Sequence, residues 1–223
     1  AVYAAMITHI DESVGAIMEA VEEKGLMDNT VFIFYSDNGG VDNRFDNIPL
    51  LGGESKDVYP EEHPLRYIAT SNAPFRAGKG TLYEGGIRVP LIVRWPEKVK
   101  AGSTSEAIVS SVDFYPTFLE LGQGKEPQGQ VLDGVSMVSP LTANKFDPER
   151  EVFTHYPVYH HEVPMSALRK GDWKIIENLV TGEFDLYNLK YDIIEMTDLK
   201  FSYPDKLAEM KKALKKWQVA TDA

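Results

Sequence analysis

TVFIFYSDNGG, residues 30–40, places a run of β-branched and aromatic residues directly before a carboxylate, a carboxamide and two glycines. The run has no polar alternation, which is typical of a strand buried on both faces. In α/β sheets, ligands gather beyond the carboxyl ends of the strands, where Asp37 and Asn38 would lie. The stretch therefore predicts an α/β fold with a candidate site at the end of this strand.

The residues before this strand predict an amphipathic helix. Apolar side chains recur at steps of three and four from Tyr3 to Val21. Neither an initiator Met nor a Ser, Thr, Asp or Asn cap precedes that stripe. We therefore expect the chain to begin inside a helix and to be a fragment of a longer protein. A helix followed by a buried strand is the α/β pattern.

Three further elements are predicted before residue 145. IRVPLIVRWP (87–96) is predicted to be a second strand, with two prolines that favour an edge position. EAIVSSVD (106–113) is predicted to be another strand. FYPTFLELG (114–122) predicts a short helix that starts near Asp113 and stops at Gly122.

The pattern changes after about residue 145. Short strand-like runs separated by turns extend to residue 189 and predict a small antiparallel sheet. Residues 204–218 then carry an apolar stripe at helical spacing, which predicts a closing helix. We therefore expect two domains, residues 1–145 and 146–223.

Composition excludes several kinds of site and partner. The chain has 223 residues and no cysteine, which rules out disulfides and thiolate metal ligands within it. A net charge of −11 makes nucleic acid and anionic membranes poor partners. No apolar run approaches the roughly 20 residues that span a bilayer.

Asp37 and Asn38 are candidate metal ligands. Both offer hard oxygen atoms, which suit Ca²⁺ or Mg²⁺. Gly39 and Gly40 allow a sharp turn and a close backbone approach. Because Asp, Asn and Gly are also common turn residues, the pattern fits an ordinary turn as well.

A second candidate lies in FRAGKGTLYEGGIRVP, residues 75–90. Lys79 stands between Gly78 and Gly80, so its ammonium group can project from a loop toward an anion. A flexible surface loop with a solvated lysine fits the same residues. The loop is not the GxxxxGK[ST] phosphate motif, because Thr81 does not directly follow Lys79.

Together these segments resemble the sulfatase family, the arylsulfatase-like branch of the alkaline-phosphatase-like hydrolases. The matching motifs follow the family's order over nearly the whole chain. They are Asp11–Gly15, Ser36–Gly39, Gly78–Gly80, Tyr83–Gly86, Arg88–Pro90, Asp113–Thr117, Leu132–Ser136, Arg169–Lys174 and Glu183–Asn188. The resemblance implies an alkaline-phosphatase-like mixed sheet with flanking helices, followed by the small C-terminal antiparallel sheet and helix.

The resemblance also implies roles for particular residues. Asp37 and Asn38 match the family's metal ligands, usually for Ca²⁺ rather than Mg²⁺, and Lys79 matches the lysine that contacts the sulfate. Arg76 and Arg88 are each expected to brace a carboxylate or backbone carbonyl groups around the loop, with direct substrate contact as the alternative.

The family's nucleophile is missing from this chain. In the family it is a formylglycine made from Cys or Ser in a C/S-x-P-x-R signature. We expect it, with the other metal ligands, upstream in the missing N-terminal half of the same protein. The fragment alone is expected to be inactive. The resemblance further implies a sulfated small molecule or glycan as substrate and a periplasmic or secreted location.

Three histidines are weaker candidates for substrate binding. His155, His160 and His161 lie in THYPVYHHEVP, between the predicted core and the C-terminal sheet. Imidazoles there can donate hydrogen bonds to a sugar or protonate a leaving oxygen. A solvated surface loop is the alternative. Together with the long 41–72 loop, residues 155–164 could form one wall of a glycan-sized site.

Two other functions remain open at this point. The same superfamily contains phosphoester and phosphonate hydrolases that share the Asp–Asn pair. The chain could also be a non-catalytic binding module that kept the scaffold, although the joint presence of Asp37, Asn38 and Lys79 argues against such decay.

Overall fold

The computed structural model describes residues 2–41, 70–159 and 162–223, so the predicted 41–72 loop lies almost wholly outside the described residues. None of the described helices is both long enough and apolar enough to cross a bilayer. Helices and strands follow one another as α1 (Val2–Glu23), β1 (Phe32–Tyr35), α2 (Glu84–Ile87), β2 (Leu91–Arg94), α3 (Phe114–Leu121), α4 (Val138–Ala143), β3 (Glu151–Tyr156), β4 (Met165–Lys170), β5 (Trp173–Asn178), β6 (Phe184–Asn188) and α5 (Pro204–Thr221).

The chain divides into two compact units. One combines Ala1–Phe34 with Ile92–Val152, and the other combines Tyr35–Leu91 with Phe153–Ala223. The domain division at residue 145 stays a prediction. The packing units cut across it, because the segment after β1 packs with the C-terminal part of the chain.

The first helix and the first two strands are confirmed. α1 ends just before Gly25, whose φ of +66° suits a residue without a Cβ. β1 and β2 pair in a two-stranded sheet, within the predicted 30–36 and 87–96 segments. None of the described residues of α1 is buried, and most of its apolar stripe is exposed.

The strand predicted at residues 106–113 is wrong. Residues Ser111–Asp113 form a 3₁₀ turn that leads into α3. The reason is a local turn: the Ser110 N–H donates to Asp113 Oδ2 at 2.8 Å, as in one half of a capping box, and the Asp113 N–H donates to the Ser110 carbonyl at 3.0 Å. This local closure competes with strand pairing. The predicted helix is confirmed, with Gly122 as its C-cap.

The C-terminal sheet is confirmed, in the order β3-β4-β5-β6. Strands β4, β5 and β6 pair antiparallel, with Ile175 opposite Leu168 and Leu186. Because side chains alternate along a strand, these residues share one face, which packs on Met210 and Leu214 of α5.

The other face of this sheet is covered by a segment that precedes α2. Ala167, Ile176 and Tyr187 cluster there with Leu82 and Tyr83. Full burial of side chains of this kind contributes about 1.5–3 kcal/mol each relative to exposure. The glycine-rich loop, residues 75–90, therefore packs on this face of the C-terminal sheet through Leu82 and Tyr83.

Candidate active site

The two candidate motifs are joined backbone to backbone. The Gly39 N–H donates to the Gly86 carbonyl at 2.9 Å, and the Lys79 N–H donates to the Gly40 carbonyl at 3.0 Å. Residues 36–40 and 78–86 are thus one structural element, although some forty residues separate them in sequence. This contact brings the predicted metal-ligand pair and the predicted sulfate-binding lysine into one loop cluster.

Asn72 strengthens this joint and was missed by the sequence analysis. Its Oδ1 accepts from the Gly40 N–H at 2.8 Å. Its Nδ2 donates to the carbonyls of Gly40 at 2.8 Å and Ala77 at 3.1 Å. A single Asn in a loop carries no distinctive sequence pattern, so only its long-range partners reveal this role.

Two positions in this joint require glycine, because the backbone segments approach each other too closely to leave room for a Cβ. A Cβ on Gly39 would lie 1.7 Å from the Gly85 carbonyl oxygen. A Cβ on Gly85 would lie 2.0 Å from the Ala77 carbonyl oxygen. Both clashes involve backbone, which cannot move aside as a flexible side chain can. The Asp-Asn-Gly-Gly and Glu-Gly-Gly patterns therefore serve close approach as well as turning.

Asp37 and Asn38 present their oxygen atoms at the end of β1. The Asp37 side chain is exposed, and its Oδ1 accepts from the Asn38 N–H at 3.0 Å. The Asn38 amide nitrogen donates to the Gly39 carbonyl at 2.9 Å, which turns the amide oxygen the other way. This donor set suits a hard cation such as Ca²⁺.

The two residues supply only part of a metal site. In the described ranges 2–41, 70–159 and 162–223, no three His, Cys, Asp or Glu side chains cluster as metal ligands. Ca²⁺ takes six to eight oxygen ligands, so a full site needs further groups. The expectation that other ligands come from elsewhere in the protein remains a prediction.

Lys79 is exposed at the tip of the glycine-rich loop. It follows buried Gly78 and precedes Gly80, whose φ is +87°. Its backbone is held by Gly40, whereas its side chain reaches solvent. An ammonium group in this position is available to an anion.

Arg76 makes contacts within the protein. Its Nη1 donates to Tyr187 Oη at 3.1 Å and to the Glu195 carbonyl at 3.0 Å. Its guanidinium group also lies 3.8 Å from the centre of the Tyr83 ring. These contacts fit the bracing role expected for Arg76, and its contact with substrate stays a prediction.

His155 lies in the C-terminal sheet. Its Nδ1 is 2.5 Å from Ser166 Oγ, and its ring packs edge-on to Trp217 at a centroid distance of 6.3 Å. His160 and His161 lie outside the described residues. The substrate-binding role of all three histidines stays a prediction.

A buried network of charges lies beneath the loop. Lys174 of β5 is 1% exposed, and its Nζ lies 2.9 Å from Glu84 Oε1 and 2.8 Å from Glu195 Oε1. The two carboxylates are themselves 2% and 0% exposed. Arg88, which is partly exposed, pairs with Glu84 at 3.1 Å. Two carboxylates and two cations thus balance in formal charge.

The two carboxylates respond oppositely to this environment. Burial raises the pKa of Glu84, but Lys174, Arg169 and Arg88 outweigh it, so its pKa lies below the ordinary value. Burial also raises the pKa of Glu195, and Lys174 offsets that effect only in part, so its pKa lies above the ordinary value.

Comparison with known proteins identifies the class to which this fold and site belong. The sulfatase family model matches residues 1–124, and the model for the C-terminal part of N-sulphoglucosamine sulphohydrolase matches residues 77–220. The predicted alkaline-phosphatase-like α/β fold is confirmed. The chain belongs to the sulfatase family.

Individual relatives agree with this assignment. A sulfatase of Formosa agariphila is 32% identical over 99% of this chain and 40% of its own length. The N-acetylglucosamine-6-O-sulfatase of Bacteroides thetaiotaomicron is 30% identical over 97% of this chain and 35% of its own length. The chain therefore spans less than half the length of these relatives.

Solved structures match over the same extent. The crystal structure of Ps i-CgsB aligns with a TM-score of 0.76 and 30% identity, covering 96% of this chain and 42% of that protein. BT4656 in complex with its substrate D-glucosamine-2-N,6-O-disulfate aligns with a TM-score of 0.70 and 27% identity, covering 95% and 38%.

Proposed function

We propose that the whole protein hydrolyses sulfate esters of glycans, with Asp37 and Asn38 as ligands of Ca²⁺ and Lys79 as a cationic contact to the sulfate group. The observation that carries this proposal is the backbone joint between the two motifs. Through the Gly39–Gly86 and Lys79–Gly40 hydrogen bonds, the Asp37 carboxylate, the Asn38 carboxamide and the exposed Lys79 belong to one loop cluster.

The chemistry of these groups supports sulfate-ester cleavage. A bound Ca²⁺ would supply positive charge beside the oxygen atoms of the sulfate group. Lys79 adds a compact charge with three donors, which can hold a sulfate oxygen and offset its charge in the transition state. Arg76 and Arg88 fix the loop from the protein side, so that Lys79 remains available to substrate.

The proposal extends beyond these 223 residues. It places the formylglycine nucleophile and the remaining metal ligands elsewhere in the full-length protein, together with a periplasmic or secreted location. The partial coverage of the relatives, 40% for the Formosa agariphila sulfatase, supports this view.

Sulfated glycans are the proposed substrate class. The relatives include an N-acetylglucosamine-6-O-sulfatase. Among matching structures, Ps i-CgsB was crystallised with k-i-k-neocarrahexaose, at 30% identity and a TM-score of 0.76. Sulfated sugars thus recur among the proteins that this chain resembles.

The test is a hydrolysis assay on the full-length gene product. It measures sulfate release from 4-nitrophenyl sulfate, glucosamine 6-sulfate and carrageenan oligosaccharides. We expect release from at least one of them, loss of activity with a chelator and recovery with Ca²⁺. Asp37→Asn and Lys79→Met should each lower kcat/KM by about 100-fold, the usual cost of removing one charge-stabilising group. The 223-residue chain alone should be inactive.

Exposed Asp28 and Lys212 offer matched controls, since Asp28→Asn and Lys212→Met remove the same charges elsewhere. Both should leave kcat/KM within about twofold. Hydrolysis of 4-nitrophenyl phosphate without any sulfate-ester activity would replace the proposal with a phosphoester hydrolase. Glycan binding without hydrolysis of either ester would replace it with a binding module.

A further inference from the structure

Glu195 touches both ends of the loop that carries Lys79. Its backbone carbonyl accepts from Arg76 Nη1 at 3.0 Å. Its Oε2 accepts from the Glu84 N–H at 2.6 Å. Lys79 lies between these two attachment points in sequence. A single residue of the C-terminal segment therefore fixes the loop on either side of its functional side chain.

The loop is also closed on itself between those points. The Gly85 N–H donates to the Arg76 carbonyl at 2.8 Å, and Thr81 Oγ1 donates to the Gly78 carbonyl at 2.9 Å. Residues 76–86 thus form one short closed segment. A shift at the Arg76 or Glu84 end would displace the backbone of Lys79.

Glu195 occupies a costly position. Its φ is +54°, in the left-handed region that residues other than Gly and Asn seldom adopt. Its carboxylate is completely buried, and burial of such a group is unfavourable unless it is paired. A glycine would satisfy the backbone more cheaply. The presence of Glu there indicates that its side chain, whose Oε2 accepts from the Glu84 N–H, is needed.

Lys174 completes the arrangement. Its Nζ lies between Glu84 and Glu195, and the three side chains are each no more than 2% exposed. Glu195 Oε1 lies 2.8 Å from Nζ but out of line for a hydrogen bond, so that attraction is ionic. The base of the loop is thereby fixed without contact with water.

We propose that Glu195 is a positioning residue for sulfate binding, which acts by holding the Arg76–Glu84 loop so that Lys79 is correctly placed. This role rests on the proposed function of Lys79. Glu195 itself is buried and is not expected to touch substrate.

The test compares Glu195→Ala with Glu177→Ala in the full-length protein. Glu177 is a matched control, because it is 3% exposed, lies in the same unit and pairs with Lys215 and Gln218 of α5 instead of the loop. In conditions where both variants are folded, Glu195→Ala should raise KM and the inhibition constant of inorganic sulfate by about tenfold. Glu177→Ala should leave both within about twofold.

A conservative variant and a double-mutant cycle separate positioning from general stability. Glu195→Gln keeps an oxygen that can accept from the Glu84 N–H, so it should restore KM to within about threefold of wild type. In a Lys79→Met background, Glu195→Ala should add less than about twofold, because its effect passes through Lys79. Equal effects of Glu195→Ala with and without Lys79 would overturn the proposal.

Amide hydrogen exchange of residues 76–88 gives a readout that does not depend on activity. Exchange should rise by about tenfold in Glu195→Ala and remain unchanged in Glu177→Ala. Unchanged exchange in Glu195→Ala would refute the positioning role even if the enzyme is a sulfatase. Increased exchange in a protein without sulfatase activity would instead retain the structural link and refute the proposed function.

Discussion

Two buried charge clusters of this protein differ in how their charges are shared. Asp113, in the unit that contains α3, is fully buried and pairs with Arg150 through two hydrogen bonds of 2.6 and 2.7 Å. Its two oxygens also accept from the N–H groups of Ser110 and Val135 at 2.8 and 2.9 Å. Each oxygen therefore has two donors, and the pair is closed.

The Glu84–Lys174–Glu195 cluster is organised differently. One lysine lies between two carboxylates. The second positive charge is supplied by Arg88, whose side chain is 41% exposed. This cluster joins the C-terminal sheet to the loop of Lys79. The comparison teaches that the closed pair holds segments of its own unit together, whereas the shared cation links the C-terminal sheet to the loop that carries Lys79.

The largest expected effect is that of Lys174→Met. It leaves two buried carboxylates side by side without their central cation, and breaking a buried pair costs about 3–5 kcal/mol. We expect a loss near 5 kcal/mol in the free energy of unfolding, measured by urea denaturation. Adding Glu195→Gln should recover part of it, because one of the stranded charges is then removed. A loss below about 1 kcal/mol would show that the cluster is not the coupling element inferred here.

Asp113→Ala should cost slightly less, about 3 kcal/mol. The stranded Arg150 is 14% exposed, so part of its charge can reach water. Urea denaturation measures the loss, and KM for a sulfate ester should stay within about twofold among folded molecules. A large change in KM would erase the distinction between the two clusters.

Lowering the pH should destabilise the Lys174 cluster through protonation of Glu84. Because its folded pKa lies below the ordinary 4.5, its contribution to stability is present above pH 4.5 and lost as pH falls through the folded pKa. The difference in unfolding free energy between wild type and Glu84→Gln should therefore shrink on acidification. Denaturation curves from about pH 3.5 to 7 measure it.

The contribution of Glu195 to stability should change with pH in the opposite direction. Its folded pKa is raised, so the unfolded state releases the proton first, and stability falls as pH rises from 4.5 through the folded pKa. Glu195→Gln should therefore gain stability relative to wild type over that window. Parallel slopes for the Glu84 and Glu195 variants would contradict the assignment of opposite shifts.

The smallest effect is expected for an exposed pair. Lys206 and Glu209 lie one helical turn apart on α5, with side chains 28% and 44% exposed, and Glu209 also pairs with Lys170 at 3.2 Å. Glu209→Gln should cost about 0.2–1 kcal/mol, because water already solvates both charges. Thermal or urea unfolding supplies this value as the baseline for both buried clusters. A cost as large as that of Asp113→Ala would mean that burial does not explain why the charge clusters and this pair differ in their contribution to stability.

Some of the fold and site could be predicted from local patterns. The apolar run before Asp37 predicted β1, and short strand-like runs separated by turns predicted the sheet of β3, β4, β5 and β6. The order of motifs predicted the sulfatase family. These features depend on neighbouring residues, so their signal is written in short stretches of sequence.

The strand predicted at 106–113 was wrong because the local pattern of this segment did not decide its structure. Its β-branched residues favoured a strand, but the hydrogen bonds between Ser110 and Asp113 closed a turn there. Arg150, some forty residues later, then fixed that turn by binding Asp113 and the Ile108 carbonyl. Local propensity was overridden by partners that the segment itself does not contain.

By itself, the sequence determined α1, α3, α5, β1, β2 and the C-terminal strands, and it offered Asp37, Asn38 and Lys79 as candidates for one site. Only the tertiary structure decided that Asn72 ties the two motifs together and that Glu195 holds both ends of the loop. The physical reason is distance along the chain. Glu84 and Glu195 are 111 residues apart, and a hydrogen bond between them has no periodic trace in the sequence.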